Sequence, residues 1–233
     1  MWIDPGSAAS AHTRYVDEMQ MSPRQPTLGA SLRVGNAVRT RLIHRSDTAA
    51  VVSVTVSSVD SSANAVGITS ADSVVTEYSC FVRLHEGAWK LSAVRSLPHL
   101  SELRSRRAAL QANTARSADE QAELERVSLV VGTNDALRMH IRANRNVLQR
   151  IVDLYRARKV TQALKLARTV SIIDIDEPAD AASSRLELII GGMHDSVVGI
   201  MYVPHPEDVP AMTPSDIIMV EEVEPMFYVF KTM

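Results

Sequence analysis

A long stripe of apolar side chains at helical spacing, within residues 134–159, constrains the fold of this chain more than any other feature. Residues three or four apart share one face of an α-helix, so the stripe predicts an amphipathic helix that buries one side against another element. The other faces of this helix are rich in arginine. The members of the stripe are Leu137, Ile141, Leu148, Ile151, Val152 and Tyr155.

The chain that follows this helix has the pattern of antiparallel strands. Its first residues, 160–168, keep the helical spacing, and we place the change to a strand near Arg168. Turns are predicted at "GGMHD" and at Glu224-Pro225, and longer loops at "EPADAASS" and "HPEDVPAMTPS". The predicted strands are "RLELII", "SVVGIMYVP", "DIIMVEEV" and "MFYVFKTM".

Residues 30–97 predict a second unit made of a helix and a sheet. In "ASLRVGNAVRTRLIHR", Val34, Val38 and Leu42 are spaced by four, which favours a short amphipathic helix. A meander of about four antiparallel strands is predicted after it. These strands are "AVVSVTVSSVD", "AVGIT", "SVVTEYSCFVRL" and "WKLSAVRSL".

Two further segments complete the predicted organisation. Residues 1–29 are polar and interrupted by prolines, which indicates a poorly ordered lead-in. Residues 98–133 are charge-rich and predict a helical connector, in which Ser117 and Glu120 have the spacing of a capping box. The chain is therefore predicted to be α+β, with an N-terminal unit over 30–97 and a C-terminal unit over 134–233.

A long helix followed by a curved antiparallel sheet resembles the NTF2-like and cystatin-like α+β rolls. The resemblance covers residues 134–233, most clearly "DIIMVEEVEPMFYVFKTM", and more loosely "AVVSVTV" and "FVRLHEGAWKLSAV" in the first half. It implies a superfamily of isomerases, dehydratases, transport factors and assembly domains, so no single activity follows from it. Enzymes of this superfamily use a cavity between helix and sheet lined by Asp, His or Tyr, and none of those residues aligns with a position here.

Composition makes several classes of function unfavourable. The formal net charge is −2 and only 4% of residues are aromatic, so nucleic-acid binding is not expected. The single cysteine, Cys80, excludes an internal disulfide and a cysteine-based zinc cluster, and fits a reducing, cytoplasmic location. No apolar run is long enough for a transmembrane helix, and the N-terminus lacks the pattern of a signal peptide.

No phosphate-binding loop, hydrolase elbow or zinc-protease motif occurs in the sequence, so no cofactor or metal is predicted. His194 beside Asp195 would make a general-base pair, although neighbours on a strand point to opposite faces and the pair also fits a turn. His205 stands close to two carboxylates in a proline-rich stretch, which fits either a metal or proton-transfer site or, more simply, a connecting loop. The candidate catalytic or cavity-lining residues are His194, Asp195, Tyr202, His205, Asp174 and Asp176.

Charge is segregated along the C-terminal half. Residues 134–168 contain nine Lys or Arg against two Asp, whereas residues 174–224 contain twelve Asp or Glu against one Arg. One interpretation is that the basic helix neutralises the acidic sheet of its own unit. The other is a basic surface for a partner protein, an acidic lipid or a nucleic acid. The candidate partner-binding residues are Arg138, Arg142, Arg145 and Arg150.

Two functions of different classes follow from these patterns. The first is a non-catalytic interaction or assembly module that binds protein partners through its sheet and basic-helix surfaces, with a homo-oligomer as a possibility by analogy with the roll fold. The alternative is a small-molecule binder, or an enzyme of the isomerase or dehydratase type, that uses a roll cavity in the C-terminal unit. An open, polar-lined cavity between the helix and the final sheet would favour the alternative.

Overall fold

The computed structural model describes residues 37–58, 74–177 and 184–233. The predicted lead-in, the start of the first predicted helix, the strand "AVGIT" and most of the loop "EPADAASS" lie outside these ranges. The chain divides into two compact units, Met1–Ser96 and Leu97–Met233. Helices and antiparallel sheets are both present, so the prediction of an α+β fold is confirmed.

The described part of the first unit is a four-stranded antiparallel sheet whose strands follow one another in sequence order. The patterns "AVVSVTVSSVD", "SVVTEYSCFVRL" and "WKLSAVRSL" were predicted to be strands, and all three are confirmed, with every second residue facing the same side. The last two of these strands are connected by a tight turn at Glu86-Gly87, where both residues have positive φ. The strands are β1 (Ala37–Arg45), β2 (Ala49–Ser58), β3 (Val74–His85) and β4 (Ala88–Arg95).

The helix predicted around Val38 and Leu42 is wrong, because these residues lie in strand β1. A spacing of four fits two residues on one face of a strand as well as one face of a helix. Strand pairing determines the outcome, since Val38 lies opposite Val56 and Leu42 opposite Val52 in an antiparallel register with β2. The first unit therefore contains no helix in its described residues.

Cys80 lies on β3 with 4% of its surface exposed, packed in a cluster with Val54, Val56 and Leu91. Burial raises the pKa of its thiol to about 12. On the order of one thiol in ten thousand is then ionised at pH 8, and the thiolate is the reactive form. We therefore expect a chromogenic disulfide reagent to leave the folded protein unmodified at pH 8 over minutes. The same reagent should modify one thiol per chain in guanidinium, and prompt reaction of the folded protein would contradict the buried position.

The second unit begins with five helices. They are α1 (Leu100–Ala112), α2 (Ala118–Val130), α3 (Asn134–Ala143), α4 (Arg145–Arg156) and α5 (Val160–Arg168). The capping box at Ser117 and Glu120 is confirmed, and Thr133 caps α3 by accepting a hydrogen bond from the N–H of Ala136. Helices α1 and α2, predicted as a connector, belong to this second unit, where Leu103 and Val130 join the core.

The long helix predicted over residues 134–159 is in fact two helices, separated at Asn144. Asn144 has the non-helical angles φ −109° and ψ 12°, and its side-chain amide donates at 2.9 Å to the carbonyl oxygen of His140, which also accepts from the N–H of Asn144 at 3.1 Å. The apolar stripe survives this interruption, since Leu137 and Ile141 on α3 and Leu148 on α4 are all fully buried. No helix in the described ranges is long and apolar enough to cross a membrane.

The five helices are followed by a five-stranded antiparallel sheet with the order β5-β6-β7-β9-β8. The last hairpin turns at Pro225 and Met226, one residue later than predicted, and Gly191 and Gly192 lie inside a strand although a turn was predicted there. The turn that follows them contains only His194 and Asp195. The strands are β5 (Asp174–Asp176), β6 (Leu186–Met193), β7 (Ser196–Tyr202), β8 (Ile217–Glu224) and β9 (Phe227–Thr232).

The main core of the second unit lies between the helices and one face of this sheet. The stripe of α3 and α4 packs there with fully buried apolar residues of the strands, among them Leu188, Ile200 and Phe227. The opposite face carries a second cluster around Met201 and Phe230, against which Val209 and Met212 of the loop before β8 pack. In the described residues, the side chains of this core occupy the region between helices and sheet where the alternative hypothesis placed a ligand cavity.

Candidate functional site

The sheet of the second unit has an open edge at the end of strand β6. Strand β5 pairs with β6 only from Asp176 opposite Glu187 to Asp174 opposite Ile189, and the N–H of Ile173 donates to the carbonyl of Ile189 at 2.7 Å. Residues 190–193 continue beyond that point. Within the described ranges no strand pairs with them on this side.

Strand β5 is short because of the way helix α5 ends. The N–H of Ile172 donates to the carbonyl of Ala167 at 3.1 Å and that of Ser171 to Arg168 at 3.4 Å, which is the pattern of a Schellman motif. Ser171 takes the left-handed conformation that this motif requires, with φ 62°. The chain therefore leaves the helix in a tight turn and reaches the sheet only at Ile173.

The open edge borders a cleft of about 450 Å³ that lies under the hairpin of helices α1 and α2. Its floor is apolar and includes Leu103, Val130 and Ile190, with Ile173 at the side 44% exposed. Helix α2 comes very close to the strand at this point, since a Cβ on Gly191 would lie 3.2 Å from Cγ2 of Val130. The remaining lining residues are Glu102, Arg106, Glu123, Arg126, Val127, Gly191, Gly192 and Met193.

Four charged side chains form the rim of this cleft. Arg106 on α1 and Glu123 on α2 make two parallel hydrogen bonds of 2.7 and 2.6 Å, and this contact with Arg106 holds the pKa of Glu123 below its usual range. Such a paired geometry fastens the two helices to each other. Glu102 lies 3.3 Å from Nδ1 of His99. Arg126 has no hydrogen bond or ion pair within the described residues.

Two histidines meet beside the cleft. His99, just before α1, and His194, in the turn after β6, lie with ring centroids 4.9 Å apart. Both have positive φ, 56° and 53°, which is a sparsely populated conformation for residues other than glycine. Strained backbone of this kind is often found at functional positions. The predicted site residue His194 therefore contacts His99 of the same unit.

The structure does not gather the predicted catalytic residues into one site. Asp195 is exposed in the turn, where its carbonyl accepts from the hydroxyl of Thr232 at 3.3 Å. Tyr202 is buried in the core, and its hydroxyl points to the sulfur of Met226 at 3.6 Å. Its ring makes an edge contact with Phe227. Tyr202 is thus a core residue by its contacts.

His205 and the carboxylates near it do not line the cleft. His205 is exposed and precedes a short 3-10 turn, Pro206–Asp208. The Asp208 carboxylate accepts from the hydroxyl of Ser184 at 3.3 Å. Asp174 and Asp176 are exposed on the edge strand β5. In the described ranges no group of three or more His, Cys, Asp or Glu side chains is arranged to hold a metal ion.

The predicted partner-binding arginines are mostly engaged inside the second unit. Arg138 lies 3.1 Å from Asp135 and 3.8 Å from Glu221, and Arg142 lies 3.5 Å from Glu224. The guanidinium of Arg145 sits 4.3 Å from the ring centroid of Phe227. Arg150 is exposed and has no ion pair in the described part of the chain.

These contacts agree with the interpretation in which the basic helices neutralise the acidic strands of the same unit. Two of the ion pairs reach from α3 to β8, and Arg158 approaches Glu177 at 3.8 Å. Each exposed pair of this kind is worth about 0–1 kcal/mol. The arginines consequently add a small contribution to the packing of helix on sheet, and only Arg150 among the four candidates presents its charge without a partner in the described residues.

Sequence reasoning missed the cleft, which depends on residues far apart in the chain. Residues between Glu102 and Val130, Ile173 and the end of β6 form it together. The available signals were the two adjacent glycines, Gly191 and Gly192, and the capping box that fixes the start of α2. Neither indicates on its own that a strand edge is left open.

The chain was compared with protein-family models, with curated proteins and with solved structures, and none of them matches. The resemblance to NTF2-like and cystatin-like rolls stays a prediction.

Proposed function

We propose that the second unit is a non-catalytic interaction module that binds an extended segment of a partner protein. The segment would lie in the cleft under α1 and α2 and would add one strand to the sheet along residues 190–193. The observation that carries this proposal is the open edge of β6 directly beside an apolar cleft. Addition of a strand to an exposed edge is a common mode of peptide recognition.

The two parts of the site would have separate tasks. The open edge offers main-chain donors and acceptors, which bind any extended segment irrespective of its sequence. The apolar floor receives every second side chain, because alternate residues of a strand point to the same face. An extended segment with apolar residues at alternate positions is therefore the ligand that fits best.

A second candidate is a small amphipathic molecule in the same cleft. Its volume of about 450 Å³ lies in the range of small-molecule sites, roughly 300–1,000 Å³. An isomerase or dehydratase that uses a roll cavity has less support, because Ile151 and Val229 and their neighbours fill the space between helix and sheet. A homo-oligomer would follow if the extended segment came from a second copy of this chain.

The proposal can be tested with a phage-displayed library of random nine-residue peptides. We expect the full chain to select peptides with apolar residues at alternate positions, and one selected peptide to shift the NMR signals of amides 190–193. Ile173→Glu should weaken binding of this peptide at least about tenfold, because it puts a charge beside the floor of the cleft.

Met139→Glu is the matched control for this substitution. Met139 is 64% exposed on α3 and does not line the cleft, so the same kind of change there should leave the affinity of the peptide unaltered. Failure to select any peptide would overturn the proposal, and so would a selected peptide that binds both variants equally. The second candidate would be favoured by a different result, in which small molecules displace the peptide and the peptide itself does not shift the signals of amides 190–193.

A further inference from the structure

We infer that the cleft selects an extended partner segment with an acidic side chain facing Arg126. The inference rests on the proposed function and adds the chemistry of the segment to it. A bound segment can use a rim charge without loss only where that charge does not already make a contact inside the protein.

Three of the four rim charges have partners nearby. Arg106 and Glu123 are joined by two hydrogen bonds shorter than 2.8 Å, so neither is available without loss of that pair. Glu102 has His99 at 3.3 Å. Arg126 has neither a hydrogen bond nor an ion pair within the described residues, although its charge contributes, after that of Arg106, to the lowered pKa of Glu123.

The position of Arg126 on α2 directs it toward a bound segment. Glu123, Arg126, Val127 and Val130 are spaced by three or four residues, so they share one face of the helix, and all four line the cleft. Arg126 is partly buried among them. A segment seated on Val127 and Val130 would thus come within reach of its guanidinium.

Covering this cleft has an electrostatic cost that only some segments offset. A bound segment removes water from Arg126, and a desolvated cation without a partner is costly. A carboxylate on the segment removes this cost and can accept two parallel hydrogen bonds from the guanidinium. A basic residue at the same position adds repulsion. Selection therefore arises from the favourable acidic contact and from the penalty on the alternatives.

The test uses the same random nine-residue library on three forms of the full chain. Wild-type protein should enrich Asp or Glu at one position, at a fixed distance from the apolar positions. Arg126→Glu should enrich Lys or Arg at that position, and the wild-type peptide should lose affinity for it at least about tenfold. Lys165→Glu makes the same change in net charge at an exposed position of α5 that does not line the cleft, and should keep the wild-type preference.

The outcomes separate this inference from the proposed function. Peptides that bind at amides 190–193 without an acidic position would overturn the charge selection and leave the proposed function intact. An acidic preference that is unchanged in Arg126→Glu, or equally lost in Lys165→Glu, would also overturn it, since the preference would then not come from Arg126. If no peptide is selected by any form, both proposals fail together.

Discussion

Replacement of Phe227 by alanine is expected to lower the free energy of unfolding of the second unit by about 3–5 kcal/mol. Phe227 is fully buried in the main core, where its ring meets the edge of Tyr202 at a centroid distance of 5.3 Å. Alanine would remove this contact and leave a void between β9 and α4. The surrounding strands and helices cannot close such a gap completely. The free energy of unfolding therefore falls both because the buried ring is lost and because a cavity remains.

The measurement should report the second unit separately from the first. Residues 97–233 contain no tryptophan, so tryptophan fluorescence has no probe inside the second unit. Native-state amide hydrogen exchange at core strand residues such as Ile200 and Val229 gives the free energy of opening directly.

Arg145→Met is the control for the alanine variant at Phe227. It keeps an unbranched apolar side chain and removes the guanidinium that lies 4.3 Å from the ring centroid. The expected loss is about 0.5–1 kcal/mol, the range of a partly exposed cation–π contact. If Phe227→Ala costs no more than Arg145→Met, the void has closed and the proposed packing of β9 is wrong.

Gly192→Ala is expected to cost about 3 kcal/mol or more, although it adds a single methyl group. A Cβ at this position would lie 1.8 Å from the carbonyl oxygen of Ser196 and 2.8 Å from its carbonyl carbon. Both are main-chain atoms of strand β7, so they move only if the β6–β7 hairpin itself changes. We expect the loss in the same exchange measurement, with the earliest opening around the His194–Asp195 turn.

The neighbouring glycine provides a matched control. A Cβ on Gly191 would meet only Cγ2 of Val130, at 3.2 Å, which is the end of a side chain. A shift of a few tenths of an ångström relieves that contact, so Gly191→Ala should cost about 1 kcal/mol or less. Similar losses in the two variants would mean that the hairpin is more adaptable than its geometry indicates.

Local patterns were sufficient to predict most elements of the second unit. The apolar stripe that includes Ile141 and Leu148 identified buried helical residues, and the spacing of Ser117 and Glu120 identified the start of α2. These features depend only on neighbours within a few residues. The predicted helix is interrupted at Asn144, where the backbone angles leave the helical range and the side chain bonds to the carbonyl of His140, and apolar spacing carries no information about either feature.

Strand β1 shows a different limit of prediction. Val38 and Leu42 fit a helix and a strand equally well by spacing, and only the partner strand β2 decides between them. In a single sequence that partner is not identified, so an ambiguous short pattern can be assigned to the wrong element. Tertiary contacts determine the secondary structure here.

The candidate site was less predictable than the fold. His194 was recognised as a candidate, yet the ring it contacts belongs to His99, 95 positions earlier in the chain. The carboxylate beside it in sequence, Asp195, makes no contact with that imidazole pair in the described structure. The cleft itself depends on the length of β5 and on the close approach of α2 to Gly191, and neither is encoded by a local motif.

The Schellman turn at Ser171 also limits how long a bound segment would stay. By delaying the start of β5 it leaves residues 190–193 of β6 without a strand partner on this side in the described structure, which is a length of roughly 14 Å. The surface that a segment paired along four residues can bury is well below the roughly 1,200–2,000 Å² buried in stable complexes. A partner held there alone would dissociate quickly, because differences in affinity are expressed mainly in the dissociation rate. The contact suits a reversible encounter that is renewed many times, and a lasting complex would need a second point of attachment.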